Sequence, residues 1–144
     1  MLTLEERFTA ALHNAARCWR QALDRHLKSL GVGQAGWMAI AMIAKAGQPQ
    51  SQTELAHKLG VEDPTMMSMI DRLVKAGFVT RQPSATDRRV KLAVLTADGL
   101  ALYRKVKTEA DAFRLEFLAD VDKEKLRSAT EMLEALDAAV EARL

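Results

Sequence analysis

The sequence predicts a mainly α-helical fold with one small β-hairpin. Apolar residues recur every three or four positions along most of the 144 residues, which is the spacing of amphipathic helices. One stretch differs, because short apolar runs between residues 78 and 96 flank a cluster of turn-forming residues, PSATDRR. That arrangement is typical of two strands joined by a loop. We therefore expect an α+β protein with long helices at both chain ends and a hairpin near its middle.

Both ends of the chain are predicted to be long amphipathic helices. An apolar stripe runs from Leu4 to Leu30 and stops at a glycine pair, and a second helix follows over about residues 34 to 46. Near the other end, a helix over residues 97 to 118 precedes a stripe from Leu126 to Val140 with the alternation of a helix seam. One small chain can hardly cover both stripes, so a second copy is expected to cover them. A monomeric helical bundle is the alternative.

A helix-turn-helix is predicted in the segment SQTELAHKLGVEDPTMMSMIDRLVKAG. Ser51 and Glu54 have the spacing of a capping box that starts a helix, and Gly60 permits a tight turn. Asp63 as N-cap and Pro64 in the first turn then start a second helix. The inner faces of the two helices are expected to contain Leu55, Leu59, Met66, Met69, Ile70 and Leu73. Because the hairpin follows directly, the combination predicts a winged helix.

The charges are unevenly distributed along the chain. The net charge is only +2, but residues 64 to 107 contain nine Lys or Arg against three Asp or Glu, whereas residues 108 to 144 contain five bases against ten acids. A polyanion would be attracted to the middle of the chain and repelled by its end. Chance scatter over solvated faces is the alternative.

Two adjacent arginines, Arg88 and Arg89, lie at the predicted hairpin tip. Isolated surface ion pairs contribute only about 0 to 1 kcal/mol to stability, so a role outside the chain is expected. Asp87 can accept from the Arg89 guanidinium and hold that side chain extended. If the second helix lies in a major groove, the hairpin reaches the flanking backbone and a minor groove, which attracts arginine.

The sequence resembles the MarR family of bacterial transcription regulators and, within it, the SlyA-like branch. The resemblance covers nearly the whole chain and rests on ARCWRQALDRHLKSLGVGQAGW, QSQTELAHKLGVEDPT and DRRVKLAVLTADG. It implies a homodimer joined through residues 1 to 33 and 108 to 144, with a winged helix-turn-helix over residues 34 to 107. It also implies a repressor that binds a palindromic operator in double-stranded DNA, with Arg89 in the minor groove and Asp87 orienting it.

The recognition helix departs from the family pattern at one position. Pro64, Thr65 and Ser68 match its groove-facing start, but related sequences often have arginine where this chain has Ser68. Serine is short and contacts bases with little discrimination, so base readout is expected to be weaker or differently placed. Arg72 and Lys75 are the candidates for compensating phosphate contacts. Their alternative is a role as ordinary solvated helix residues.

The resemblance further implies a small aromatic or phenolic acid as an effector. Trp37 and Arg20 match positions that line such pockets in similar proteins, where they offer a flat apolar wall and a carboxylate partner. A plain core tryptophan is the alternative. Cys18 lacks the tyrosines that accompany the peroxide-sensing cysteine of some relatives, so a buried structural cysteine is expected.

The composition argues against several other classes of protein. No stretch approaches the roughly 18 apolar residues of a membrane span, and MLTLEERF has acids where a signal peptide has bases, so a cytoplasmic protein without a membrane partner is expected. One cysteine and three scattered histidines predict no metal site or cofactor. No phosphate loop or catalytic triad pattern indicates an enzyme. A winged helix that only binds other proteins remains the alternative to DNA binding.

Overall fold

The structure, a computed structural model, describes all 144 residues, Met1 to Leu144. Its regular elements are α1 (Leu4–His26), α2 (Gly33–Lys45), β1 (Gln50–Ser51), α3 (Gln52–Leu59), α4 (Asp63–Lys75), β2 (Val79–Pro83), β3 (Lys91–Leu95), α5 (Ala97–Leu118) and α6 (Lys123–Glu141), with a 3₁₀ turn over Lys28–Leu30 after α1. The predicted fold, helical with a small β wing, is confirmed. The chain forms two compact units, Met1–Ala110 and Asp111–Leu144. None of the helices combines the length and hydropathy that crossing a bilayer requires.

The wing belongs to a three-stranded antiparallel sheet with the order β1-β3-β2. The β2-β3 pair runs in register from Val79 opposite Leu95 to Pro83 opposite Lys91. The sequence predicts only these two strands, and the third was missed because β1 is two residues long. Gln50 of β1 pairs with Ala93 and thereby ties the start of α3 to the centre of the sheet.

The core of the first unit lies among α2, α3, α4 and the sheet, with one contribution from α5. The predicted inner faces of the helix-turn-helix are confirmed, since Leu55, Met66, Ile70 and Leu73 are buried and Leu59 and Met69 are partly buried. The remaining buried members of this core are Ala39, Ile40, Ile43, Ala56, Val79, Ala93 and Leu102. Burial of each large aliphatic side chain stabilises the fold by about 1.5 to 3 kcal/mol, so this cluster fixes α4 against the sheet.

The helix boundaries follow the capping signals with two corrections. The capping box at Ser51 is confirmed, because Ser51 Oγ accepts from the Glu54 amide at 3.1 Å and the Glu54 carboxylate accepts from the Ser51 amide at 3.4 Å. The prediction of Asp63 as the N-cap of α4 is wrong, since Glu62 has the extended cap conformation and Asp63 is already helical. The first helix ends at His26, and the apolar stripe continues into the 3₁₀ turn.

The terminal helices leave large apolar surfaces uncovered. Helix α6 has no buried residue, and Leu133, Leu136 and Val140 are all exposed. In α1 only Leu23 is buried. The prediction of a buried Cys18 is wrong for the single chain, since Cys18 is exposed on α1.

A compact junction joins the base of the wing to α5. The Thr96 hydroxyl donates to the Gly77 carbonyl at 2.7 Å and also accepts from the Gly99 amide at 3.0 Å, which caps α5. The Thr96 amide donates to the Phe78 carbonyl at 3.0 Å. Gly99 lies so close to the residue before β2 that an added Cβ would be 2.0 Å from the Phe78 carbonyl oxygen. Glycine at position 99 is therefore a steric requirement, whereas Thr96 contributes the hydrogen bonds.

Replacing Gly99 should destabilise the protein measurably. In Gly99→Ala the new methyl group clashes with backbone, so we expect the free energy of unfolding to fall by about 1 to 3 kcal/mol, the usual cost of overpacking. Urea unfolding at one fixed protein concentration, followed by circular dichroism, measures this. Lys105→Ala, at an exposed position of the same helix, is the control and should change little. Equal midpoints for Gly99→Ala and the control would contradict the steric interpretation.

Candidate nucleic-acid interface

Helix α4 divides sharply into a buried and an exposed face. Met66, Ile70 and Leu73 attach it to the core. All five residues that the sequence places on the recognition face are exposed, namely Pro64, Thr65, Ser68, Arg72 and Lys75. Because side chains three and four positions apart are neighbours on a helix, this face is continuous over the full length of α4. Arg72 also lines a cavity of about 200 Å³ beside the first turn of α2.

The tip of the wing has a defined loop conformation. The Ser84 amide donates to the Val90 carbonyl at 2.9 Å, and the Val90 amide donates to the Asp87 carbonyl at 3.0 Å. Within the loop, the Thr86 amide donates to Ser84 Oγ at 3.3 Å. These bonds close the loop between β2 and β3 and hold its outermost residues in one arrangement.

Asp87 orients Arg89 as the sequence predicts. The Arg89 guanidinium donates through Nε to Asp87 Oδ1 at 3.2 Å and through Nη2 to Oδ2 at 3.3 Å, and the Arg89 amide donates to Oδ1 at 3.0 Å. The arginine side chain is nevertheless 91% exposed. These hydrogen bonds from Arg89 hold the pKa of the Asp87 carboxyl below its usual value of 3.8, and those from the guanidinium contribute more than the one from the amide. A carboxylate with a lowered pKa stays ionised as the pH falls toward that value, so the bidentate contact persists in mildly acidic solution. Arg88, the adjacent residue, is also exposed.

A second ion pair joins the wing to α4. Arg81 of β2 contacts Asp71 of α4, with Nη2 and Oδ1 2.6 Å apart. Asp71 lies one turn beyond Ser68, on the exposed side of α4, where an unpaired carboxylate would repel phosphates. The pair therefore connects the wing with α4 and offsets the negative charge of Asp71. At the level of the sequence, Arg81 enters only the count of positive charges. This ion pair could not be predicted, because no local spacing connects Arg81 with Asp71.

Met67 is an exposed apolar residue of α4 that the site prediction omits. Its side chain is 50% exposed, in contrast to its fully buried neighbour Met66. The signal for it was present in the sequence, because residue 67 lies off the three-four stripe formed by Met66, Met69, Ile70 and Leu73. In the exposed face Met67 lies between Pro64 and Asp71, which are one turn away on either side.

Trp37 lies beside a cavity of about 350 Å³ between α2 and α3. The tryptophan is buried, and its Nε1 donates to Asp24 Oδ1 of α1 at 3.1 Å. The cavity has a largely apolar wall and two lysines, Lys45 and Lys58. Lys58 Nζ donates to Oε1 of the buried Gln50 at 2.8 Å, which restrains that ammonium group. Arg20, the predicted carboxylate partner, is exposed on α1 and is not among the lining residues.

Comparisons with known proteins agree on one family. A family model described as the MarR family matches residues 35 to 91. The crystal structure of the transcriptional regulator PA3341 is similar with a TM-score of 0.88 and 33% sequence identity, covering 94% of this chain and 98% of that one. AbsC, a MarR family transcriptional regulator from Streptomyces coelicolor, has a TM-score of 0.83 at 22% identity, covering 99% and 98%. CouR from Rhodococcus jostii RHA1, bound to p-coumaroyl-CoA, has a TM-score of 0.82 at 18% identity, covering 94% and 95%.

Proposed function

The chain belongs to the MarR family of transcriptional regulators, and on that premise we propose that it is a sequence-specific DNA-binding repressor. As a homodimer it binds a palindromic operator with two winged helices, in the cytoplasm. The wing sequence DRRVKLAVLTADG supports membership of the SlyA-like branch. Residues 1 to 33 and 108 to 144 form the dimerisation region, and residues 34 to 107 form the DNA-binding domain.

The observation on which the proposal depends most is the pre-oriented Arg89 at the wing tip. The guanidinium is held by Asp87 and is still 91% exposed, so it can enter a groove without first losing much rotamer freedom. A narrow minor groove has the deepest negative potential and favours an inserted arginine. Helix α4 supplies the major-groove contacts through Thr65 and Ser68, and Arg72 and Lys75 supply phosphate contacts.

The dimer is supported by the apolar residues that the single chain leaves in water. Leu133, Leu136 and Val140 form one stripe of α6, since they are spaced three and four residues apart. Exposed apolar stripes of this length mark interaction surfaces. A second copy of the chain covers them and also sets the distance between the two recognition helices, which must match half-sites about one helical turn apart.

A charge in this stripe should separate the subunits. Leu136→Asp places a carboxylate in the proposed interface, where burying it without a partner is costly, so we expect the dimer dissociation constant to rise about 100-fold or more. Sedimentation velocity at micromolar concentration measures the state, and circular dichroism checks that the helices remain. Glu134→Ala, at a neighbouring exposed position, should remain dimeric. A folded wild-type monomer at micromolar concentration that still binds operator would contradict the dimer.

Loss of the wing arginine tests the DNA-binding role directly. We expect Arg89→Ala to weaken operator binding by about 1 to 3 kcal/mol, with the loss concentrated on operators with A/T-rich flanks. Asp87→Ala should cost less, since Asp87 orients Arg89 without contacting DNA. Arg72→Ala is the control, because a phosphate contact should cost less and equally for all sequences. Titrations of labelled duplexes with A/T-rich or G/C-rich flanks at fixed salt measure these losses.

The same titrations, repeated at several salt concentrations, distinguish DNA binding from a protein-interaction role. Binding through phosphate contacts releases counterions, so the affinity for duplex DNA should fall steeply with salt. If the wild-type protein and Arg89→Ala bind both duplexes equally, the minor-groove role fails. If neither binds duplex DNA above a nonspecific level, the winged helix serves another partner.

We further propose that a small aromatic acid binds in the cavity beside Trp37 and weakens DNA binding. The apolar wall accommodates the ring, and Lys45 and Lys58 offer ammonium groups to the carboxylate. The ligand of CouR, p-coumaroyl-CoA, is an aromatic acyl thioester, which supports the aromatic ring of the proposed ligand but not its carboxylate. Binding between α2 and α3 favours a dimer whose recognition helices are wrongly spaced, and a small rigid-body shift suffices.

Calorimetry with salicylate, p-coumarate and related acids tests the cavity. We expect Lys45→Met and Lys58→Met to weaken binding about tenfold or more, since each removes a charge-assisted hydrogen bond. Lys28→Met, outside the cavity, should bind as the wild type does. Absence of binding up to millimolar concentration, or unchanged operator affinity with the acid bound, would count against this effector site.

A further inference from the structure

We propose that Met67 is a specificity-determining residue, whose side chain packs against the C5-methyl group of a thymine in the major groove of each half-site. The inference rests on the proposed DNA-binding function and adds the base that α4 prefers. It assigns the apolar part of base recognition to a residue beside Ser68, where the short hydroxyl side chain leaves base readout weak.

The position of Met67 within the exposed face supports this role. The first two turns of that face otherwise present short side chains, Pro64, Thr65 and Ser68. Met67 is unbranched and longer than each of them, so it extends farthest from the helix axis in this part of α4. A surface that approaches the N-terminal half of α4 therefore meets Met67 first. Met67 is 50% exposed and belongs neither to the buried core nor to the partly buried residues packed against it.

The chemistry of the major groove identifies the partner. Each base edge presents hydrogen-bond donors or acceptors there, and the C5-methyl of thymine is the apolar group among them. A thioether side chain offers no strong hydrogen bond and gains most by displacing water from that methyl group. Asp71, the next residue along this line of the helix, is already paired with Arg81 at 2.6 Å. Its charge is thereby offset where Met67 meets the base.

The test removes the methyl group alone. Fragments selected from random duplex DNA by the wild-type protein define the operator, and each thymine in a half-site is then replaced singly by deoxyuridine, which keeps the base pair and the O4 acceptor. At one thymine per half-site we expect the affinity of the wild type to fall about fourfold, and about tenfold or more when both half-sites are changed. Met67→Ala should bind the thymine and deoxyuridine duplexes equally.

Two further variants make the result specific. Leu100→Ala shortens a comparably exposed apolar residue of α5, 40% exposed, and should keep the wild-type discrimination. Met67→Gln has a similar length but a side chain suited to adenine, and selection with it should replace thymine by adenine at the same position. The salt dependence of binding should be the same for Met67→Ala and wild type, because no phosphate contact is lost.

The outcomes separate this inference from the function on which it rests. If the wild type selects no common sequence, the proposed sequence-specific function fails. If it selects an operator but no single deoxyuridine weakens binding, or if Met67→Ala retains the full deoxyuridine penalty, the role of Met67 is overturned. A penalty that is present in the wild type and Leu100→Ala and absent in Met67→Ala supports it.

Discussion

The hydrogen bonds of Thr96 are the constraint on which the rest of the proposed DNA-binding surface depends. One side chain caps α5 through the Gly99 amide and holds the Gly77 carbonyl in the turn that leaves α4, while its backbone amide binds Phe78. The end of the wing, the end of the recognition helix and the start of α5 are thus joined at one point. Because this junction consists of hydrogen bonds to backbone groups and a close approach of backbone at Gly99, α4 and the base of the wing are expected to move as a single body.

Two ion pairs add to the order that the Thr96 junction gives to the wing. Two arginines of the wing pair with aspartates, with different consequences. At the base of the wing, Arg81 pairs with Asp71 of α4 and so connects the two elements. At the tip, Arg89 is held by Asp87 within the wing itself and remains 91% exposed. Both carboxylates lower the net positive charge of the interface. Each also restrains an arginine side chain, which reduces the rotamer freedom that this arginine would lose on binding.

Much of the fold follows from local signals in the sequence, and much of the site does not. Periodicity and the Ser51 capping box correctly predict the helices of the helix-turn-helix, and the turn residues predict the wing. The two-residue strand β1 is too short to give a pattern, and the Asp71–Arg81 pair joins residues on different elements that no spacing connects. The environment of Cys18 could not be predicted either, since periodicity identifies an apolar stripe but not whether the same chain covers it.

The exposed apolar surface of α6 affects how long a newly synthesised chain survives before it associates with a partner. Most of the stability of a helix in a protein comes from packing of its apolar face, and α6, 19 residues long, has no buried residue. The end of a single chain is therefore expected to fray, exchange its amide protons quickly and be open to proteases. Partner chains would remove that vulnerability by mass action. For the proposed dimer, there would then be a minimum concentration below which the protein does not persist, because chains too dilute to associate are degraded first.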